Sequence, residues 1–285
     1  MNANDLEPLK AWLGRQQVGE AMLTPEMLRA YRATLAPHLC EHEGVAPPGL
    51  HWCLAPVTAS ASMAELDVDG HPLRGGFLPP VPLPRRMWAG GEVESLAPLP
   101  IGEPIQRVST ITDIRFKEGR SGNLCFVTVE HALSCAGTLA IRERQDIVYR
   151  GGATGAATGA APVATRELRE GEQEVWVDTP PTLLFRYSAL TFNAHRIHYD
   201  LPYATGEEGY AGLVVQGPLQ ASLLYSLVAN HAGKVPSRFA YRGQAPLIAG
   251  QPFRAAVAWN APGKSLQAWT QDADGRINME ASATC

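Results

Sequence analysis

The sequence predicts an α+β fold in which antiparallel sheets each pack against a helix, and three observations predict it. Residues 105–149 alternate apolar and polar over three runs separated by short turns, the signature of an antiparallel meander. Gly217 to Ala232 is apolar around much of a helical surface, so it should be buried rather than amphipathic. The order of helical material followed by strands then occurs twice, on either side of a glycine-, alanine- and threonine-rich stretch. No residue-level repeat accompanies that order, so an internal duplication rests on element order alone.

Taken in order, Leu6, Leu9, Trp12 and Leu13 lie at helical spacing until Gly14 breaks them. Thr24 and Pro25 read as N-cap and first residue of a helix. Met27, Leu28, Tyr31 and Leu35 form its apolar side, and Pro37 ends it. Residues 45–100 are rich in proline and glycine. Within them Phe77 to Pro84 is neither helix nor central strand, because proline lacks the amide hydrogen both need. Leucine, valine and phenylalanine alternate with those prolines, so the segment should lie ordered on the core. Val108 to Phe116, Leu124 to Leu133 and Thr138 to Tyr149 read as strands. Residues 151–162 read as a flexible linker, dividing a domain of residues 1–150 from one of residues 163–285. Beyond it, a strand near Glu174 to Val177 and a short helix from Pro181 precede the long helix. Strands near Arg238 to Pro246, Phe253 to Asn260, Ser265 to Asp272 and Gly275 to Thr284 close the chain, with a hairpin turn at Asp272 to Gly275.

The 285 residues are 45% hydrophobic with a net charge of −4, enough to bury a core and without a basic block. Nucleic acid and anionic membrane are therefore excluded as expected partners. No apolar run is long enough to span a bilayer. Met1 to Lys10 carries two acids, one base and no apolar stretch, so no secretory signal is expected. The five scattered cysteines include no CxxC pair, which fits reduced thiols in a cytoplasm and no zinc site.

One short segment gathers the titratable chemistry. Asn193, His195, Arg196, His198 and Asp200 fall within eight residues after an apolar run. Val214 and Val215 then lead into a glycine, Gly217, at the start of the long helix. Such a cluster facing a helix N-terminus is suited to stabilising a carbonyl oxyanion. His195, His198 and Asp200 also form a compact facet of metal-ligand types, but no fourth ligand is evident, and the reading carries neither metal nor cofactor.

These residues resemble a family. The second half is similar to the MaoC-like, hot-dog-fold enoyl-thioester hydratases. Their active loop reads roughly Gly-Asp-x-Asn-Pro-Ile-His-x-Asp and is followed by a Val-His-Gly helix start. Phe192 to Asp200 matches that loop in Ile197, His198 and Asp200, and Tyr203 and Ala204 match beyond it. Asn193 stands for the usual Asp, His195 for Asn and Arg196 for Pro, while Val215, Gln216 and Gly217 replace Val-His-Gly. These departures, with the segment Leu78 to Gly91, resemble the double-hot-dog branch. That branch includes mitochondrial 3-hydroxyacyl-thioester dehydratase type 2 and the mesaconyl-C4-CoA and itaconyl-CoA hydratases.

The resemblance implies a double hot dog whose first half is degenerate and site-free. It implies a hydro-lyase acting on a CoA thioester, with catalytic His198, Asn193 and Gly217. His198 would be the base, since imidazole titrates near working pH. Asn193 cannot accept a proton but can orient water through its amide. Gly217 would offer its N–H to the thioester oxygen, or serve only close packing. Asp200 reads as a turn cap or a partner of Arg196. His195 and Gln216 are substrate-side neighbours. Arg85, Arg86, Arg196 and Arg242 are cations for a substrate carboxylate or the CoA phosphates, or else surface charge. A small dicarboxylyl-CoA is the first expected substrate, a 3-hydroxyacyl thioester of fatty-acid synthesis the second. Non-catalytic acyl-CoA binding is a third reading. Hot-dog sheets often pair edge to edge, within one chain or as a homo-oligomer, and both remain open here.

Overall fold

The computed structural model describes residues 7–119, 122–151 and 168–285. Apart from Gly151, the expected linker lies outside them. Ten strands form one antiparallel sheet: β1 (Gln16–Met22), β2 (Arg85–Ser95), β3 (Pro104–Gly119), β4 (Gly122–Cys135), β5 (Thr138–Arg150), β6 (Gln173–Val177), β7 (Arg238–Gly243), β8 (Phe253–Ala261), β9 (Ser265–Gln271) and β10 (Ile277–Thr284). Their spatial order is β1-β3-β4-β5-β2-β7-β10-β9-β8-β6. Counted outward from the β2–β7 seam, each half uses its own second, fifth, fourth, third and first strand. The topology is therefore repeated, which the element order foreshadowed.

Helix α1 (Pro25–Leu35) starts where the capping residue says: Thr24 Oγ1 accepts the Met27 N–H at 3.1 Å. It packs on α2 (Pro181–Leu190). Helix α3 (Gly217–Ala232) is buried from Leu219 through Ala229 and contacts β7, β8, β9 and β10. Each fully buried leucine or valine on it contributes about 1.5–3 kcal/mol of burial. In the first half a buried turn, Leu50–Cys53, is tied to β5, and the residue after it to β3. Trp52 Nε1 donates to Glu143 Oε1 at 2.7 Å, and Arg107 donates to the Leu54 carbonyl at 3.2 Å. The proline-rich segment packs as expected: Val81 and Leu83 join Leu9, Ile111, Val127 and Tyr149 in a second apolar cluster.

Two strands had no clear sequence signal. In β1 the alternating burial is carried by Gln17, Gly19 and Ala21, so hydropathy hides it. In β2 the pair Gly90 and Gly91 reads as a breaker. Yet β2 is the seam, pairing β5 on one side and β7 on the other. Its ladder shifts register between Trp88 and Gly90. Such a bulge re-aims a side chain, and Trp88 is turned onto the start of α3.

Candidate active site

The chain leaves α2 through a left-handed residue. Phe192 has φ 50°, and the N–H groups of Phe192 and Asn193 return to the carbonyls of Ala189 and Ser188. This is the Schellman ending that usually takes glycine. A phenylalanine there holds mild strain, at the point where the chain turns into the titratable segment.

Asn193 Oδ1 accepts the His195 N–H at 3.0 Å, an Asx turn that leads into the next turn, Arg196–His198. His198 is buried, and its Nδ1 lies 2.7 Å from the Val214 carbonyl. A carbonyl only accepts, so the ring proton sits on Nδ1 and Nε2 keeps its lone pair. Burial pushes the His198 pKa down to about 4, against the opposing carbonyl bond, so the ring is neutral near pH 7. His195 is buried at 5.5 Å, centroid to centroid, from His198. Burial and the neighbouring His71 and His198 push it down as well.

Both of the structural roles weighed for Asp200 are present. Its Oδ2 accepts from Arg196 Nη2 at 2.7 Å, and its Oδ1 caps the Tyr203 N–H at 3.1 Å. It is thereby turned to the Arg196 side, so the His195, His198 and Asp200 facet is not assembled. Arg196 is further held by the Val68 carbonyl at 3.0 Å and lies 4.1 Å over the Tyr203 ring.

At the head of α3, Gln216 is fully buried. Its amide nitrogen donates to the Leu184 carbonyl at 2.8 Å and to Ser188 Oγ at 2.9 Å, bolting α3 to α2. Gly217 is the first residue of α3, so its N–H has no partner within the helix. A β-carbon there would lie 2.5 Å from Trp88 Cε3, so glycine is required by close approach whatever else it does. Trp88 stacks on Tyr241 and meets Trp52 edge-on. Behind them Glu143 is fully buried and accepts from Trp52 and Tyr241. Arg107 and His51 stand 3.8 Å from its other oxygen. Burial raises the Glu143 pKa against these partners.

Two residues absent from the sequence reading enter the site from the first half. The hairpin around Leu66 and Pro72 brings in Asp69 and His71. His71 Nδ1 lies 3.1 Å from Asp69 Oδ2, and its ring packs on His195, tilted 45°, at 4.2 Å between centroids. Burial and Arg86 push the His71 pKa down to about 4, with Asp69 opposing. Burial works to raise the Asp69 carboxyl, but hydrogen bonds from His71 and the charge of Arg86 hold it well below the usual range. The segment Val-Asp-Gly-His reads locally as a surface turn, and nothing in it points to residue 195. Donor atoms of Asp69, His71 and His195 lie within 4.8 Å of one another, a spacing that suits a metal ion. Arg86 beside them opposes a cation.

The four candidate arginines part company. Arg85 pairs with Glu208 at 3.3 Å. Arg196 is committed to Asp200. Arg242 is exposed on β7, on the opposite face from buried Tyr241, and is not brought to the cluster. Arg86 remains, with a buried Nε that makes no hydrogen bond. An apolar cavity of about 280 Å³ lined by Val45, Pro48, His51, Leu99 and Tyr225 shares no residue with the cluster. No helix among the described residues is long and apolar enough to cross a membrane.

Comparisons with known proteins agree with this architecture. The family model described as hydroxyacyl-thioester dehydratase type 2 matches residues 49–249. Mesaconyl-C(4)-CoA hydratase of Chloroflexus aurantiacus is 43% identical over 275 residues, 95% of this chain and 96% of that one. The solved structure of a MaoC-like dehydratase superposes with TM-score 0.72 at 16% identity, covering 97% of this chain and 98% of the other. A Mycobacterium tuberculosis protein described as a double hotdog fold superposes with TM-score 0.56 at 11% identity, over 97% and 98% of the two chains.

Proposed function

The chain belongs to the hydroxyacyl-thioester dehydratase type 2 family, and from that premise we propose that it adds water to the α,β-unsaturated CoA thioester of a short dicarboxylic acid, mesaconyl-C4-CoA, giving citramalyl-CoA; itaconyl-CoA, whose double bond lies β,γ to the thioester, is the alternative C5 substrate leading to the same product. The observation that carries this reading is a neutral, buried His198 with a bare Nε2, two residues before Asp200 and close to the head of α3. His198 Nε2 takes a proton from water as its oxygen bonds to the β-carbon. The π electrons move to the thioester oxygen, where the Gly217 N–H and the helix dipole receive the charge. The enolate collapses, and the α-carbon takes the proton back from His198.

In a citramalyl product the carboxylate and the new hydroxyl share one carbon. The cation for that carboxylate must therefore lie beside the imidazoles. Arg86, orphaned at Nε and close to Asp69, His71 and His195, supports this substrate class. In the same reading, residues 1–150 and 163–285 are the two hot dogs, the enzyme works in the cytoplasm, and the edge strands β1 and β6 are where a second copy would pair.

The test is loss of conjugated thioester absorbance with mesaconyl-C4-, crotonyl- and long-chain enoyl-CoA, with chromatographic detection of citramalyl-CoA for itaconyl-CoA, whose double bond is not conjugated to the thioester. The C5 diacids should give the highest kcat/KM, and His198→Ala should lower kcat about 10²–10⁴-fold. A higher kcat/KM for long-chain thioesters would overturn the substrate class in favour of fatty-acid synthesis.

A further inference from the structure

The first half is expected to be a catalytic bystander, yet its hairpin is stitched into the site. The Arg196 N–H donates to the Asp69 carbonyl at 2.9 Å, and Arg196 Nη1 donates to the Val68 carbonyl at 3.0 Å. Gly70, at φ 88°, packs on the Ala194 carbonyl so closely that a β-carbon would lie 1.9 Å from its oxygen. The hairpin is closed by the Asp67 N–H to the His71 carbonyl at 2.7 Å and the Gly70 N–H to the Asp67 carbonyl at 2.9 Å. Asp69 therefore sits at the tip of a tight turn, and its Oδ1 accepts the His71 N–H at 2.8 Å.

The tautomer of His71 follows from its partner. A carboxylate only accepts, so the ring proton lies on Nδ1 toward Asp69, and Nε2 carries a lone pair. His198 has the same arrangement with the Val214 carbonyl in place of the carboxylate. Two imidazoles, one from each half, thus have their Nδ1–H groups held and their Nε2 atoms bare, with His195 packed against both. Asn193 was the expected water-orienting group; its side-chain oxygen accepts the His195 N–H, which leaves the amide nitrogen for that role. The charged and titratable groups around His71 are Asp69 and Arg74 from its own loop, Arg86 from β2, and His195 and His198 from the facing segment.

We propose that His71 is a second catalytic residue of the hydration, and Asp69 the positioning residue that fixes its tautomer. This rests on the hydratase reading above. Water donates one O–H to His198 Nε2, which removes that proton, and the other O–H to His71 Nε2, which keeps it as a hydrogen bond. The oxygen lone pair is then aimed at the β-carbon when the C–O bond forms. The π pair moves to the thioester oxygen and returns to the α-carbon, which takes the proton from His198. The hydrogen held by His71 leaves as that of the product hydroxyl, so both imidazoles end neutral.

The experiment measures kcat, KM and melting temperature for wild type, Asp69→Asn, His71→Ala and His71→Gln with mesaconyl-C4-CoA. In Asp69→Asn the new amide donates to Nδ1 and drives the ring proton to Nε2, replacing the water's acceptor by a donor. The kcat should fall about 10²-fold or more, by the logic of a wrong tautomer, with KM within a few-fold and the melting temperature held. His71→Gln, whose side-chain oxygen still accepts, should retain more activity than His71→Ala. Wild-type kcat in Asp69→Asn or His71→Ala would overturn the proposal. So would losses that only track a fall in melting temperature, which would make the pair a structural prop. Activity of wild type that disappears on chelation and returns with Zn²⁺ would assign the cluster to a metal and overturn it too. Wild type inactive on every enoyl-CoA would sink the hydratase reading first, before any variant is compared.

Discussion

Gly70→Ala tests how tightly the first-half hairpin is bound to the active segment. The residue sits at φ 88°, where an L side chain costs about 1–3 kcal/mol. Its new β-carbon would lie 1.9 Å from the Ala194 carbonyl oxygen and 2.9 Å from its carbon. Carbon–oxygen contact begins near about 3.3 Å, so the backbones must separate by about 1.4 Å. The obstacle is main chain on both sides, so no rotamer change relieves it. Separation on that scale loosens the bonds from Arg196 to Asp69 and Val68, and carries His71 away from His195. A misplacement of about 1 Å can cost about 10²-fold in rate. The hairpin lies outside the large apolar core, so global stability should fall only by about the local strain. At this chain length that shifts the melting temperature by about 2–4 °C per kcal/mol. Steady-state hydration kinetics beside a thermal melt separate the two effects. Wild-type kcat/KM in Gly70→Ala would refute the reasoning, because the hairpin could then move without consequence for catalysis.

Four further outcomes are expected. The kcat/KM profile should have its acid limb near pH 4, where His198 and His71 protonate and lose their Nε2 lone pairs; a limb at the ordinary histidine value of 6.5 would contradict their burial. The same depressed values, with His51 down to about 3, mean the unfolded chain binds more protons below pH 6.5, so stability present above that pH should be lost as pH falls toward 4, read as a falling melting temperature. Glu143→Ala leaves Arg107 buried without its carboxylate and should cost about 3–5 kcal/mol in urea denaturation; a change under about 1 kcal/mol would mean the network holds little. Arg86→Met should raise KM for a C5 diacid thioester and leave crotonyl-CoA nearly unaffected, since only the diacid loses a charge-assisted bond; equal effects on both would remove Arg86 from carboxylate binding.

The sequence by itself determined whatever is local or periodic. The Thr24 cap, the buried helix Gly217 to Ala232 and the β3–β5 meander were legible because capping and alternation act over a few residues. The titratable segment was legible because a single turn carries Asn193, His195, His198 and Asp200. What only the tertiary structure decided is whatever depends on segments far apart in the chain. The seam strand β2 was hidden because its glycines, which read as breakers, serve close approach across the sheet. Which end of the Asn193 amide is left to meet water was decided by the turn that puts its oxygen on the His195 N–H. The cations looked equivalent until Glu208, Asp200 and solvent claimed three of them. Asp69 and His71 carried no signal because a polar turn reads the same whether it faces water or packs on His195. Hydropathy records whether a residue tolerates burial; which partner buries it is set by the docking of the two halves.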